Sequence, residues 1–162
     1  MSGPAADGAR STPHATVADM PITYTLYPDQ GLVVTTFSGV VADPEFVDFY
    51  RSLYSDPAYS AGVGELADLR QVTSFRITAD ALHEVKTLGE ERYAGTDTTF
   101  RTAIVAPSDL SFGIARIYDA LVAGGPEEVA VFRGLGEALE WLALDEIPDD
   151  LDAGPTDGRR SR

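Results

Sequence analysis

The groups in this chain that could do chemistry are few and of one kind. There is no cysteine and there are only two histidines, His14 and His83. Disulfides, thiolate metal sites and thiol redox chemistry are thereby excluded. Most histidine metal sets and Ser-His-Asp arrangements go with them. No glycine-rich phosphate loop, nucleophile elbow or metal-ligand spacing occurs, so no catalytic residue, metal or cofactor is expected. What remains are hydroxyl, carboxylate and guanidinium groups at the ends of strand-like segments: Ser38, Asp68, Arg70, Ser108 and Arg133. In an open α/β sheet, ligands sit beyond the carboxyl ends of the strands. Arginines placed there can hold an anion or a partner's carboxylate. Asp68 and the arginines can equally pair with one another. Arg116, in the segment Phe112-Gly113, is a weaker candidate, since a glycine inside a helix points first to close packing there. His83 follows Leu82 and is expected on the surface. Trp141, Tyr24, Tyr27, Phe49, Tyr50, Tyr54 and Tyr59 are expected to pack in the core and rim, with a few available to line a pocket for an apolar ligand.

Elements of alternating type must position these groups. Ile22 to Tyr27 alternates and is β-prone, Asp29-Gln30-Gly31 is a turn, and Leu32 to Phe37 completes a hairpin closed by Ser38-Gly39. Asp43-Pro44-Glu45 starts a helix, with Asp43 as its cap and Phe46, Phe49, Tyr50 and Leu53 as its apolar stripe. A short strand covers Glu65 to Leu69, and a loop follows from Val72 to Ile77. Thr78 caps a second helix carrying Leu82, Val85, Leu88 and Arg92 on one side. Phe100 to Ala106 is a strand. Ser108-Asp109 opens a third helix with Leu110, Ile114, Ile117, Tyr118 and Leu121 inward, ended by Gly124-Gly125-Pro126. Val129 to Arg133 is the last strand, and Leu135, Leu139 and Leu142 mark a last helix stopped before Pro148. The order ββαβαβαβα predicts an α/β fold with a mixed, mostly parallel five-stranded sheet and right-handed crossovers. The hairpin makes its first strand antiparallel. Leu82, Val105, Ile117 and Leu142 are expected to be buried, and Ile117→Ala to cost about 2–5 kcal/mol.

The 162 residues suit one domain, expected over residues 21–145. Residues 1–20 and 146–162 are poor in large apolar side chains and are expected to be disordered tails, and deleting residues 1–19 and 149–162 is expected to leave stability nearly unchanged. Met20 stands directly before the first strand-like segment and is a candidate start. Twenty-six acidic residues against 12 basic ones give a net charge of -14. That argues against nucleic acid and anionic membrane as partners, since both repel a negative surface. The acidity fits either adaptation to high internal salt or compositional drift. No membrane-spanning run and no signal peptide are expected, and the cytoplasm is the default location.

Several pieces in order resemble the SpoIIAA-like branch of the STAS superfamily, which shares its fold with anti-sigma-factor antagonists and CRAL-TRIO lipid-binding domains. They are Phe37-Ser38-Gly39, Leu66-Ala67-Asp68-Leu69-Arg70, Arg101 to Ala106, Phe112 to Arg116, and Val131-Phe132-Arg133 followed by Glu137 to Leu142. The resemblance covers roughly Ile22 to Leu142. It implies helices mainly on one face of the sheet and no defined activity. The antagonists' switch is a serine phosphorylated in an Asp-Ser-Ser-Gly-like motif after the third strand. This chain keeps Asp68-Leu69 but then departs. Thr78 holds the comparable position and Ser74 is nearby, so both are phosphorylation candidates, against a plain capping role for Thr78.

The resemblance and the missing catalytic set together imply a non-catalytic regulatory or protein-interaction module. The alternative is a carrier of a small apolar ligand or lipid in the manner of CRAL-TRIO domains. A sheet face without helices, or the hairpin edge, predicts a symmetric homodimer. The other expectation for that face is that the last helix or the 72–77 loop folds over it.

Overall fold

The computed structural model describes residues 20–60, 62–144, 148 and 151. The expected N-terminal tail up to residue 19 and most of 146–162 lie outside the described residues. Five strands form one sheet in chain order: β1 (Ile22–Tyr27), β2 (Leu32–Ala42), β3 (Gly64–Arg76), β4 (Phe100–Val105) and β5 (Glu127–Phe132). β1 pairs antiparallel with β2, and every other pair is parallel. The helices are α1 (Asp43–Ser55), α2 (Ala79–Tyr93), α3 (Asp109–Val122) and α4 (Leu135–Leu142). This is the α/β order the sequence predicts.

β2 and β3 run further than their alternation shows. Ser38 to Ala42 pairs with Gln71 to Arg76, so the stretch 72–77 expected as a loop is strand up to Arg76. The register breaks on either side of Gly39, whose φ is +68°. Such a bulge hides the period-2 signal because the face that each side chain addresses changes across it.

Side-chain parity divides the sheet into two faces. Val33, Thr35 and Phe37 on β2, and Glu65, Ala67 and Leu69 on β3, point toward α1, α2 and α3. Leu32, Val34, Leu66, Ala103 and Val105 point the other way, where Ala138 and Leu139 of α4 cover them. Leu151 is buried in this second cluster. Removing residues 149–162 therefore uncovers apolar surface, contrary to the expectation of an indifferent tail. Because α4 lies over this face, a dimer through a bare sheet face has no such face over β3–β5 to use.

Two local expectations change. α1 begins one residue early, with Ala42 as N-cap. The Ala42 amide donates to Glu45 Oε1 at 3.1 Å. Asp43 instead accepts from the Thr78 amide and hydroxyl at 2.8 and 2.6 Å, joining the start of α1 to the start of α2. α3 buries Ser111, Ala115, Tyr118 and Val122 and leaves Leu110 and Ile117 more than half exposed. The expected burial of Ile117 is thus corrected. The inward stripe sits about 100° round the helix, one residue along. Leu82 and Val105 are buried as expected, and Leu142 is half-buried against the α4 cluster. Gly113 has no atom near its missing side chain, so close packing does not explain it.

Candidate functional site

The expected site residues fall in separate places. Asp68 is buried and takes Arg70 in a bidentate pair, with Nε on Oδ1 and Nη2 on Oδ2 at 2.9 Å each. Ser38 lies opposite Gln71, on the strand beside them. Ser108 caps α3 by accepting from the Ser111 amide at 3.1 Å. Arg133 donates to the Pro107 carbonyl and to Asp109, and its guanidinium lies 4.1 Å from the centre of the Phe112 ring. Ser108 and Arg133 therefore share one neighbourhood. Arg116 stands apart on the outer side of α3, 3.8 Å from Asp119. Thr78 caps α2, accepting from the Ala81 amide at 3.3 Å while its own hydroxyl donates to Asp43. Ser74 accepts from Arg76 Nε at 3.3 Å. His83 is exposed.

The opposite end of the strands holds a denser constellation. Glu65, near the start of β3, and Glu127, at the start of β5, are buried on the face covered by α1–α3. β4 runs between them. Thr102 of β4 pairs in register with Glu65 and sends its hydroxyl to Glu127 Oε2 at 2.7 Å. Tyr118 of α3 donates to Glu127 Oε1 at 2.6 Å. Glu65 has the same kind of escort. Thr35 of β2 and Tyr50 of α1 both donate to its Oε2 at 2.7 Å. Each carboxyl thus receives one hydroxyl from a strand and one from a helix. The two Oε2 bonds leave Glu65 Oε1 without a donor among the described residues.

Burial pushes both carboxyls above their ordinary range, because water no longer stabilises the charge. The hydroxyl donors pull each back down. For Glu127 the charge of Glu65 adds to the rise, and the outcome is a value of about 7. Burial and the two glutamates hold the Tyr50, Tyr54 and Tyr118 hydroxyls well above the ordinary tyrosine value, so they stay protonated.

A cavity of about 40 Å³ lies among these groups. Glu65, Glu127, Tyr50, Tyr54, Thr102 and Tyr118 supply its polar wall. Phe37, Phe46, Phe75, Leu82, Val85 and Ile114 supply much of the apolar one. That volume exceeds what one water needs. The hydroxyl of Tyr54 is buried there and has no hydrogen-bond partner. A second, smaller cleft between α2 and the start of β5 is lined by Lys86, Gly89, Glu90 and Pro126 and also by Glu127. Gly89, which has no side chain, faces Tyr54. A side chain there would start 3.7 Å from the Tyr54 hydroxyl. Below Tyr54, Arg92 donates to the Tyr54 and Tyr59 carbonyls, fixing the end of α1 against α2.

Sequence reasoning placed Tyr50 and Tyr54 among packing aromatics and missed Glu65, Glu127, Thr35, Thr102 and Tyr118. One signal was present. In Glu65-Leu66-Ala67-Asp68-Leu69 the glutamate shares parity with Ala67 and Leu69, which puts a carboxylate on a core face.

The class defined here is an α/β domain with one antiparallel edge strand, three helices on one face and one on the other. No family model and no curated protein matches the chain. A similar solved structure is that of an uncharacterized DUF3478-family protein with a SpoIIAA-like fold from Shewanella loihica PV-4. It is 19% identical and covers 75% of this chain and 91% of that one, at a TM-score of 0.49. Among the described residues no helix is long and apolar enough to cross a membrane.

Proposed function

We propose that the chain is a non-catalytic binding module whose ligand is a small molecule held in the cavity under α1–α3. The observation that supports this is the Tyr54 hydroxyl, buried without a partner in a cavity bounded by two carboxyls. A buried polar group without a partner loses about 1–3 kcal/mol, and a ligand that bonds to it recovers that loss. An apolar cavity with a few convergent polar groups and shifted titratable groups is the usual form of a small-molecule site. At about 40 Å³ it suits a compact ligand and not a lipid chain. Native mass spectrometry of the chain purified from its own cells tests this. A stoichiometric adduct of small mass that is lost when Ala115→Leu fills the cavity is expected. A bare 17.3 kDa chain overturns it.

A second reading, a regulatory module acting through itself, is favoured by the outer face of α3. Leu110 and Ile117 stand exposed two turns apart, with the open Gly113 between them. A two-fold pairing of this helix can set one copy's Ile117 in the other's glycine gap, which is the self-complementarity a symmetric dimer requires. Sedimentation equilibrium at moderate salt separates the cases. A mass near twice 17.3 kDa that Ile117→Asp halves supports pairing through α3. A dimer indifferent to Ile117→Asp points to the β1 edge, and a monomer throughout removes this reading.

A further inference from the structure

The cavity also specifies what kind of molecule can occupy it, and this step rests on the small-ligand reading above. The hydroxyl protons of Thr35, Tyr50, Thr102 and Tyr118 are all spent on the two carboxyls. What they leave facing inward are lone pairs. Among the described residues Glu65 Oε1 receives no hydrogen bond, and the buried, unpartnered Tyr54 hydroxyl can accept as well as donate. Among the described residues no lysine, arginine or histidine lines the cavity. Arg92, which donates to the Tyr54 and Tyr59 carbonyls and whose Nε is buried without a partner, is not part of the cavity wall. Aromatic rings make up much of the remaining wall, and ring faces attract cations. A ligand fitting this site must therefore bring N–H donors and positive charge, and it must be small.

We propose that the cavity binds a compact alkylammonium ion of one or two carbons, its N–H groups donating to Glu65 Oε1 and the Tyr54 oxygen and its charge balanced by Glu65 and Glu127. The ion reaches the cavity by the cleft between α2 and the start of β5, since Glu127 lines both spaces and Gly89 sets no side chain against the Tyr54 hydroxyl. At the mouth, Lys86 is neutralised by Glu90 at 2.6 Å, so the cleft presents no net barrier to a cation. The titratable groups around the bound charge are Glu65, Glu127, Tyr50, Tyr54 and Tyr118, with Lys86 and Glu90 outside. Of these, Glu127, raised to about 7, changes charge between pH 5 and 8, and burial shifts Glu65 in the same direction. The ion binds their ionised forms, so its uptake releases protons and weakens as pH falls below about 7.

Calorimetric titration of the full chain with ethylammonium, ethanol and acetate at pH 7.5 tests this, repeated at pH 5.5 and in two buffers of different ionisation enthalpy. Ethylammonium is expected to bind at least tenfold more tightly than ethanol, with proton release and a loss of affinity at pH 5.5. Glu65→Gln should cost at least tenfold and Tyr54→Phe several-fold. Tyr54→Phe removes a hydroxyl that bonds to nothing in the free chain, so it keeps the test decisive should Glu65→Gln fold poorly. Ethanol binding as tightly as ethylammonium overturns the cation inference and leaves the small-ligand reading standing. Ethylammonium affinity unchanged in both variants overturns it too, since a chain of charge -14 would then merely be collecting cations at its surface. If none of the three binds while Ala115→Val raises the melting temperature, the cavity is a packing gap and both readings fall.

Discussion

The two ends of the parallel strands handle charge in opposite ways. At the carboxyl end, Arg70 meets Asp68 and Arg133 meets Asp109, with their guanidinium groups partly in water. The exposed Arg133–Asp109 pair gains little, because water screens the attraction and already stabilises each partner alone, and the buried Asp68 has its counter-charge in a bidentate bond. At the amino end, Glu65 and Glu127 are buried, and among the described residues no counter-charge meets them and hydroxyls alone support them. Leaving a carboxyl in such surroundings is expensive. The carboxyl end is thus what an acidic protein surface settles into by default. The amino end is an arrangement the fold retains against a penalty, which the binding role proposed above would account for.

Acid–base titration of stability should show the largest effect. The free carboxyl of Glu127 titrates near 4.5 and the folded one near 7. Between those values the folded chain holds a proton that the unfolded chain has released. Stability therefore falls as pH rises through this window and levels off above it. For Glu127 the span is about 3 kcal/mol, and the raised Glu65 acts with the same sign. Urea unfolding of the wild type and Glu127→Gln from pH 4.5 to 8 measures it. The variant should lose most of the downward slope. A wild type whose stability is flat or rises across that window would show that the amino end is as well hydrated as the carboxyl end.

Removing one hydroxyl escort comes next. Tyr118→Phe keeps the ring and takes away a donor from Glu127 Oε1. The loss should be about 1–3 kcal/mol at pH 8, where the carboxyl is ionised, and smaller at pH 5. An equal loss at both pH values would mean that packing and not the carboxyl is what the change disturbs.

The corresponding change at the carboxyl end is smaller. Arg133→Ala removes an ion pair to the almost fully exposed Asp109, a bond to the Pro107 carbonyl and the ring contact with Phe112. The expected loss is under about 1 kcal/mol, most of it insensitive to salt because the ring contact persists when charges are screened. A loss of several kcal/mol would erase the contrast between the ends.

The sequence carried the element order because each signal behind it is local: the alternation of Ile22 to Tyr27, the turn at Asp29-Gln30-Gly31, the Ser108 cap and the Gly124-Gly125-Pro126 stop. The extension of β2 and β3 was hidden by the bulge at Gly39, which is a pairing property of two strands. The site was hidden for a related reason. Glu65 and Glu127 are far apart in sequence, and each looks like an ordinary surface charge until Tyr50 and Tyr118 are placed over it. The carboxyl-end residues were legible because a fold rule names that edge, yet the same rule drew attention from the other end. Asp43 was read as a cap because Asp-Pro-Glu is a helix start, and only the approach of Thr78 gives its carboxylate another use.

The smallest expected effect concerns two neighbours on α3. Tyr118 turns inward to Glu127, whereas Ile117 turns outward, about half exposed. The apolar periodicity of Leu110, Ile114, Ile117 and Leu121 puts Ile117 in the core, where truncation to alanine would lose about 2–5 kcal/mol. The structure puts it at the surface. There the side chain leaves little cavity behind, and alanine's better helix propensity offsets part of the lost contact. Ile117→Ala should then change stability by no more than about 0.5 kcal/mol. The measurement is urea unfolding at micromolar chain concentration, below the range where pairing through α3 would add its own stabilisation. A concentration-independent loss above 2 kcal/mol would rotate α3 back toward the periodic stripe. It would also shift Tyr118, which the periodic stripe keeps inward, from the middle of the buried face to its edge, and so disturb the escort on which the contrast between the two ends depends.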